Sequence, residues 1–451
     1  MSFPRYPKYK PSGVEWLGEV PEHWEVKRLR YVADLNPSKS EVRDLDRTIA
    51  VSFLAMESIG DDGTLTLDKE KTISEVESGY TYFREGDVTI AKITPCYENG
   101  KGAVMRGLVN GIGFGTTELI VARPKPDQVT GAYLHYLFIS TDFRSIGESH
   151  MYGAGGQKRV PDAFVRNFAT GFPPLPEQSA IKAFLDRETA KIDELVAEQR
   201  RLMDLLKEKR QAVISHAVTK GLNPNAPMKS SGIEWLGEVP EHWEVTKIKH
   251  LTSSIEQGWS PQCEGYPAEA DDEWGVLKVG CVNGGVFNSS ENKLLPPELE
   301  PIPRLTISRG DLLISRANTR ELVGSAAVVE QDYPTLMLCD KLYRVCLNPD
   351  ICCPWFISRY LGSTAVRGQI ELSATGASSS MVNIPQSAIL EIVIAAPPYQ
   401  EQREIIASLD IDLSKLDTLT AEAQRSIDLL QERRTALISA AVTGQIDARQ
   451  T

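Results

Sequence analysis

The sequence predicts an α+β fold in which two tandem, pseudo-symmetric globular domains are each followed by a long α-helix, with the two helices packed as an antiparallel coiled coil. Three observations support this prediction. One segment occurs twice with near identity, short β-rich stretches punctuated by Gly, Pro, Asn and Asp follow each occurrence, and each half ends in a long stretch that lacks Gly and Pro. The first two features indicate duplicated mixed α/β domains, and the third is typical of a long helix.

The duplication is the strongest pattern in the chain. Residues 12–26 read SGVEWLGEVPEHWEV and residues 231–245 read SGIEWLGEVPEHWEV, so these segments differ at a single position. Further along, GDVTIAK at 86–92 matches GDLLISR at 310–316. The motif PPxxEQ and a later AVT also occur in both halves. The chain therefore consists of one unit of about 220 residues that has been duplicated.

The order of these patterns predicts four segments. We expect a first globular domain over 1–176 and a first long helix over 177–220. A hinge and the second globular domain follow over 221–400, and a second long helix with a C-terminal tail occupies 401–451. A helix of about 42 residues would be about 60 Å long.

Apolar residues in both helices recur at alternating spacings of three and four, which indicates the seam of a coiled coil. Such a stripe would be exposed on an isolated helix, so we expect the two helices to pack on each other. A globular domain separates them along the chain and allows either orientation, but a twofold relation between the copies would make them antiparallel. The predicted seam residues are Ile192, Leu195, Leu202, Leu206 and Val213 in the first helix and Leu416, Leu419, Leu430 and Leu437 in the second.

Composition excludes several classes of protein. The chain has 451 residues, of which 41% are hydrophobic, and a formal net charge of −12. No apolar stretch approaches the roughly 18 residues that a membrane-spanning helix needs, and the amino-terminal segment lacks the pattern of a secretory signal, so we expect a cytoplasmic protein. The seven cysteines include no CxxC pair and the six histidines supply no clustered partners. We therefore expect reduced thiols and no metal site.

The two copies differ most in two pairs of predicted loops. The first pair is KITPCYENGK at 92–101 with RANTREL at 316–322, and the second pair is MYGAGGQKR at 151–159 with TGASSSMVN at 375–383. Lys, Arg, Asn, Thr and Tyr contact phosphates and base edges, and small residues let backbone amides approach a phosphate. Each loop taken alone also fits a solvated turn. The candidate DNA-binding residues are Lys92, Thr94, Tyr97, Asn99, Lys101, Gln157, Lys158, Arg159, Arg316, Asn318, Thr319, Arg320, Ser378, Ser379, Ser380 and Asn383.

Net charge argues against a broad basic surface of the kind that nucleic-acid-binding proteins usually carry. Residues 1–220 contain 30 basic and 31 acidic groups, and residues 221–451 contain 19 basic and 30 acidic groups. Any contact with DNA must therefore use local basic clusters, or a partner chain must neutralise much of the phosphate charge.

Three patterns suggest catalysis but lack the residues that it needs. The sequence APPY at 396–399 resembles the (Asn/Asp)-Pro-Pro-(Tyr/Phe) motif of amino-methylating enzymes, but Ala396 cannot accept a hydrogen bond from a target amino group. The glycines of 111–115 lack the GxGxxG spacing of a dinucleotide site. His23 and His242 have no nucleophile motif beside them, so we interpret them as framework residues. No catalytic or metal-binding set of residues remains.

The tandem set of SG(V/I)EWLGEVPEHWEV, GD(V/L)xxI(A/S)(K/R) and PPxxEQ, with its long helices, resembles the specificity (S) subunits of type I restriction-modification systems. The resemblance covers essentially the whole chain. It implies that each globular domain is a target recognition domain, similar in fold to that of Taq-type adenine methyltransferases, which reads one half of a bipartite, asymmetric DNA target. It further implies that the long helices are spacers that hold the two domains at a fixed distance.

The same resemblance implies the partners of the chain. They are double-stranded DNA, two methylation (M) subunits and motor-nuclease (R) subunits. S-adenosylmethionine, ATP and Mg are expected on those subunits, with no cofactor in this chain.

Two other classes of function stay open at the level of sequence. One is an adenine-specific DNA methyltransferase whose cofactor site the motifs do not reveal, and binding of S-adenosylmethionine by the chain alone would favour it. The other is a scaffold that binds only proteins through two related modules. Salt-sensitive, sequence-specific binding of DNA would eliminate that scaffold.

Overall fold

The computed structural model describes residues 3–154, 156–270, 272–378 and 381–450, with residues 377 and 378 described by their backbone alone. The chain divides into two compact units. Unit 1 comprises Met1–Arg200 and Gln424–Thr451, and unit 2 comprises Arg201–Ala423. Each long helix therefore contributes one part to each unit.

Unit 1 is built around two four-stranded sheets. The mixed sheet has the strand order Glu70–Thr72, Ala50–Leu54, Ile112–Gly115 and Thr81–Arg84, and its two central strands are parallel. The antiparallel sheet has the order Ala33–Leu35, Leu119–Pro124, Val88–Ala91 and Gly102–Val104. Two smaller antiparallel pairs join Tyr9–Pro11 to Glu19–Pro21 and Glu25–Arg28 to Ala169–Phe172. The core contains side chains from both large sheets, among them Leu54, Phe83 and Val121.

Short helices connect these strands. The α-helices of unit 1 before the first long helix are Leu29–Val32, Ile73–Val76, Gly131–Ile139, Thr141–Ser149 and Asp162–Asn167. Single 3₁₀ turns occur at Lys39–Val42, Met56–Ser58, Val109–Gly111 and Ala448–Gln450. Thr130 and Ser140 cap two of the helices by accepting backbone N–H groups from the first turn, which explains why these helices begin where they do.

Unit 2 repeats the plan of unit 1. Its mixed sheet has the order Asn292–Leu294, Gly275–Leu277, Tyr333–Met337 and Thr306–Ile307, again with a central parallel pair. Its antiparallel sheet has the order Thr252–Gln257, Leu342–Leu347, Leu312–Ser315 and Ala326–Val328. The small pairs join Met228–Ser230 to Glu238–Pro240 and Glu244–Lys247 to Val393–Ala396. A three-stranded sheet is added with the order Ala317–Asn318, Met381–Asn383 and Thr375–Ser378.

Unit 2 has four short α-helices, which correspond to four of the five in unit 1. They are Ile248–Leu251, Pro354–Leu361, Thr364–Ser373 and Gln386–Leu390, with 3₁₀ segments at Val279–Gly285 and Pro303–Leu305. The repeated GDVTIA and GDLLIS sequences form the third strand of the antiparallel sheet in their respective units. The structure thus confirms the predicted α+β class with two pseudo-symmetric copies.

The first long helix spans Leu175–Lys220 and the second spans Tyr399–Val442. In unit 1, Arg434 of the second helix donates from Nε to Oδ1 of Asp193 at 3.0 Å. In unit 2, Arg210 near the end of the first helix is paired with Asp417 of the second. The beginning of each helix thus lies beside the end of the other, which is the predicted antiparallel packing. No helix in the described part of the chain is both long and apolar enough to cross a membrane.

The buried stripe on the helices is displaced from part of the predicted seam. Leu195, Leu202 and Leu419 are 50%, 42% and 46% exposed, so their assignment to the seam was wrong. The next residue is buried in one case, Val196, and half-buried in another, Met203. From Ile192 and from Leu416 onward the buried and half-buried residues alternate spacings of four and three, whereas the prediction alternated three and four. The heptad repeat is therefore retained, and every second seam position moves to the following residue. Of the other predicted seam residues, Ile192, Leu206, Leu416 and Leu437 are buried and Val213 and Leu430 are half-buried.

Candidate nucleic-acid interface

In each copy the structure brings the two predicted loops together. In unit 1, Ile93 forms a bridge with Arg159, and the N–H of Val160 donates to the carbonyl of Lys92 at 2.8 Å. In unit 2, the N–H of Ile384 donates to the carbonyl of Arg316 at 2.9 Å. We call residues 92–101 with 151–159 the first loop pair, and residues 316–322 with 375–383 the second loop pair. Residues separated by more than 50 positions in the chain thereby form one surface in each unit.

Thr94 joins the two loops of the first pair. Its N–H donates to the carbonyl of Lys158 at 3.0 Å, and its hydroxyl donates to the carbonyl of Gly156 at 2.6 Å. The same hydroxyl accepts the N–H of Lys158 at 3.1 Å. The hydroxyl of Thr94 is therefore engaged within the loop pair itself.

Arg159 is held by a carboxylate. Its Nε and Nη2 donate to the two oxygens of Glu118 at 2.9 and 2.8 Å. The hydrogen bond from Arg159 lowers the pKa of the Glu118 carboxyl, so the pair is ionised at neutral pH. A phosphate would have to share or displace this pairing in order to contact Arg159.

Tyr97 corrects the sequence prediction. Its side chain is only 3% exposed, and its hydroxyl donates to the carbonyl of Phe143 at 2.9 Å. Burial raises the pKa of this phenol well above its ordinary value. Gly147 makes room for the ring, because a Cβ there would lie 1.8 Å from the Tyr97 hydroxyl. Tyr97 anchors the loop in the core and is not available to contact DNA.

Asn318 and Arg316 are also engaged within the protein. The side chain of Asn318 donates to Oδ1 of Asn283 at 3.1 Å and accepts the N–H of Thr319 at 2.9 Å. Arg316 donates to the carbonyl of Asp340 at 3.2 Å. Both side chains are half-buried and support the shape of the second loop pair.

The remaining candidates fall into three groups. Lys92, Lys101 and Asn383 are half-buried, and Lys101 donates to the carbonyl of Met56 at 3.3 Å. Ser378 belongs to a described strand, whereas Ser379 and Ser380 lie outside the described residues. The exposed candidates are Asn99, Gln157, Lys158, Thr319 and Arg320. DNA contact by these residues stays a prediction.

The repeated PEHW and PPxxEQ motifs meet in both units. In unit 1, Glu177 accepts hydrogen bonds from the Tyr6 hydroxyl at 2.6 Å and the Trp24 ring N–H at 2.9 Å, and it lies 2.6 Å from Nε2 of His23. In unit 2, Glu401 accepts from the Trp243 ring N–H at 3.1 Å and lies 2.7 Å from Nε2 of His242. The near-identical segments thus fasten the start of each copy to the start of its long helix.

The glutamine of the same motif fastens a second segment. Gln178 donates to the carbonyls of Gln128 and Pro173 and accepts the N–H of Thr130 at 2.8 Å. Gln402 is bonded in the same way to Pro397 and to the backbone that precedes Pro354–Leu361. The prolines of APPY therefore belong to a strand-to-helix junction.

One repeated feature of the chain becomes visible only in the structure. The sequence STDFR at 140–144 corresponds to STAVR at 363–367. Arg144 donates to a backbone carbonyl in the first loop of its pair. Arg367 donates to the carbonyl of Glu321 in the corresponding loop and to that of Val323, just after the loop. The signal was present as Ser-Thr-x-x-Arg in both copies, but five residues in a divergent region do not stand out without the structure.

The structure shows two related surfaces of paired loops, one in each unit, on a duplicated framework. No protein-family model matches the chain. Among individual proteins, it is 30% identical to the type I restriction enzyme EcoEI specificity subunit of Escherichia coli, over 94% of this chain and 83% of that protein. It is also 46% identical to the EcoAI specificity subunit of Escherichia coli, over 36% of this chain and 27% of that protein.

Solved structures show the same fold. A chain from a study of complex assembly and conformational transition of the type I R-M system superposes with a TM-score of 0.70 at 19% identity, covering 94% of this chain and 98% of that one. The HsdS subunit from Thermoanaerobacter tengcongensis superposes with a TM-score of 0.56 at 19% identity, covering 95% and 98%. The chain belongs to the specificity subunits of type I restriction enzymes, which are non-catalytic components, and this confirms the resemblance found in its motifs.

Proposed function

We propose that the chain recognises a bipartite, asymmetric DNA target, with one loop pair reading each half-site. The observation that carries this proposal is the assembly, in both units, of two divergent loops into one surface on a framework that is fixed by repeated motifs. A constant framework with variable loops is the arrangement that permits two different base sequences to be read from equivalent positions.

The exposed side chains fit this task. Asn99 can bond the edge of an adenine, and Arg320 can bond the edge of a guanine or a phosphate. Lys158 adds a point charge for the DNA backbone. The chain is acidic overall, so neutralisation of the remaining phosphates falls to partner subunits.

These partners are the methylation (M) and motor-nuclease (R) subunits, which the chain would assemble on its target. We propose that S-adenosylmethionine, ATP and Mg bind to these subunits and that this chain carries no cofactor. The cognate complex should therefore lose methylation when the chain is omitted, although the methylation subunit retains its binding of S-adenosylmethionine.

The direct test is to map methylated adenines with the cognate methylation subunit and two matched variants, Asn99→Ala and Arg320→Ala. The wild-type complex should methylate one bipartite sequence. Each variant should relax one half-site and leave the other unchanged, at a cost of about 1–3 kcal/mol where a bidentate base contact is lost. A change in both half-sites with either variant would contradict the assignment of one loop pair to each half-site.

A further inference from the structure

In both copies, a half-buried arginine bonds the backbone of the first loop of the loop pair. Arg144 donates from Nη1 to the carbonyl of Glu98 at 2.8 Å. Arg367 donates to the carbonyls of Val323 at 2.7 Å and Glu321 at 2.9 Å. The same type of contact thus recurs where the loop sequences themselves have diverged.

Among the described residues, neither guanidinium group has a carboxylate oxygen at hydrogen-bonding distance. Arg144 has no carboxylate partner among the described residues, and its buried Nε has no hydrogen-bond partner there. Arg367 forms only a long ion pair with Glu371, with 3.8 Å between Nη2 and Oε1. A cation taken from water without a close counter-charge is unfavourable, so the loop carbonyls are the groups that hold each arginine in place.

At both contacts a glycine with a left-handed backbone conformation lies beside the arginine. Gly100 and Gly324 have φ angles of +76° and +71°. A Cβ on them would lie 3.5 and 3.6 Å from Nη1 of the neighbouring arginine. Glycine adopts this left-handed conformation at little cost, so the loop can turn at this position directly beside the arginine.

The short helix that carries each arginine is tied to a long helix at its other end. The N–H of Thr141 donates to Oγ of Ser439 at 3.0 Å in unit 1. The N–H of Thr364 donates to Oγ of Ser215 at 3.1 Å in unit 2. The two serines occupy the same place in the repeated IS(H/A)AVT sequence of the long helices. A continuous set of contacts therefore runs from each long helix to the first loop of each pair.

We propose that this connection positions the first loop of each pair, so that Arg144 and Arg367 each determine specificity for one half-site without touching DNA. The connection consists of Ser439, Thr141 and Arg144 in unit 1 and of Ser215, Thr364 and Arg367 in unit 2. The proposal rests on the proposed function, because it assigns positioning residues to the same DNA-reading loops.

The two arginines differ in the number of hydrogen bonds that they donate to the loop, and this difference can be tested. Arg144 uses one donor for one carbonyl, whereas Arg367 uses two donors for two carbonyls. A lysine supplies a single point charge and cannot reproduce the fork of an arginine. Arg144→Lys should therefore retain the function of Arg144, whereas Arg367→Lys should not retain that of Arg367.

The experiment uses the chain in complex with its cognate methylation subunit and measures affinity for duplexes altered in one half-site or the other. Arg144→Met and Arg367→Met should each reduce discrimination in a different half-site by about tenfold, the equivalent of one hydrogen bond to a charged group. Arg144→Lys, in contrast to Arg144→Met, should discriminate between half-site sequences as well as the wild type does. The exposed Arg166→Met and Arg309→Met serve as matched controls and should leave both half-sites unchanged.

Amide hydrogen exchange supplies a readout that does not depend on DNA. Arg144→Met should accelerate exchange in residues 96–101 and leave the protection of the long helices unchanged. Ser439→Ala, a milder change, should produce a smaller acceleration in the same loop. Unchanged exchange in both variants, or equal weakening of both half-sites, would overturn the positioning role. Absence of sequence-specific binding by the wild-type complex would instead overturn the proposed function, with the exchange data still deciding whether the contact positions the loop.

Discussion

Glu177 and Glu401 occupy equivalent positions of the repeat but differ in how much they contribute to the stability of their units. Glu177 is 6% exposed and has three partners, the side chains of Tyr6, His23 and Trp24. Glu401 is half-buried, and Asn225 stands at the position that corresponds to Tyr6. Hydrogen bonds to a buried carboxylate contribute more than those to a hydrated one, because loss of the charge leaves buried donors unsatisfied.

We therefore predict that Glu177→Gln destabilises unit 1 more than Glu401→Gln destabilises unit 2. The NH2 group of the glutamine amide is a hydrogen-bond donor, and it would face side chains that themselves donate hydrogen bonds to the glutamate. The expected loss is about 1.5–3 kcal/mol at Glu177 and less than about 1 kcal/mol at Glu401. The free energy of local opening, measured by native-state hydrogen exchange, checks each unit separately. Equal losses in the two units would contradict the role of burial.

His135 gives unit 1 a dependence on pH. Its Nδ1 is buried without a hydrogen-bond partner in the described structure, and burial, assisted by the nearby Arg434, lowers the pKa of the ring to about 4. The unfolded chain, with a pKa of about 6.5, takes up a proton before the folded chain does. Stability is therefore fully present above about pH 6.5 and is lost as the pH falls toward 4.

The matched variant is His135→Ser, because the corresponding residue in unit 2 is the buried Ser358, whose hydroxyl donates to the carbonyl of Ala326. Between pH 7 and pH 5 the wild type should lose about 2 kcal/mol more than this variant in the opening free energy of the helix Gly131–Ile139. Carboxylates titrate equally in both proteins, so their contribution cancels in the comparison. Parallel pH profiles would show that His135 is not buried in the neutral form.

At the scale of elements, amino-acid composition predicted the two long helices correctly, whereas apolar periodicity predicted their buried face only in part. A stretch lacking Gly and Pro indicated both long helices, and the duplicated motifs indicated two copies of one mixed α/β fold. The buried face of the helices could not be read fully from the sequence. Leu195 and Val196 are both apolar, so spacings of three then four and of four then three both fit a heptad repeat, and only the packed structure shows which residue is covered. Tyr97 was misassigned for a related reason, since a tyrosine suits both a base and a core.

Adjacent leucines provide a direct test of the corrected seam. Leu206 is 8% exposed and Leu205 is 52% exposed. Leu206→Asp places an unpaired charge in a core and should destabilise unit 2 by several kcal/mol, whereas Leu205→Asp should change stability by less than about 0.5 kcal/mol. Chemical denaturation of the isolated chain, followed by circular dichroism, distinguishes them. A similar loss for both variants would mean that the helix presents a different face to its partner.

At the scale of the whole molecule, exposed apolar residues recur at equivalent positions of the repeat. Leu195 corresponds to Leu419 and Leu205 corresponds to Leu429, and all four are 46–56% exposed. Unit 1 contains Leu195 and Leu429, and unit 2 contains Leu205 and Leu419. Each unit therefore presents the same two types of exposed leucine at equivalent places on its long helices.

This equivalence predicts two methylation subunits per chain. Native mass spectrometry of the co-expressed complex should give two methylation subunits for each copy of this chain. The double variant Leu195→Asp/Leu429→Asp should lower the ratio to one by disabling the surface on unit 1, and Leu205→Asp/Leu419→Asp should do the same through unit 2, because a charged side chain at a desolvated contact must be stripped of water without a partner. The four changes together should abolish assembly while leaving the chain folded, since none of these residues lies in a core. A wild-type complex limited to one methylation subunit would show that duplication of the sequence did not produce two equivalent docking surfaces.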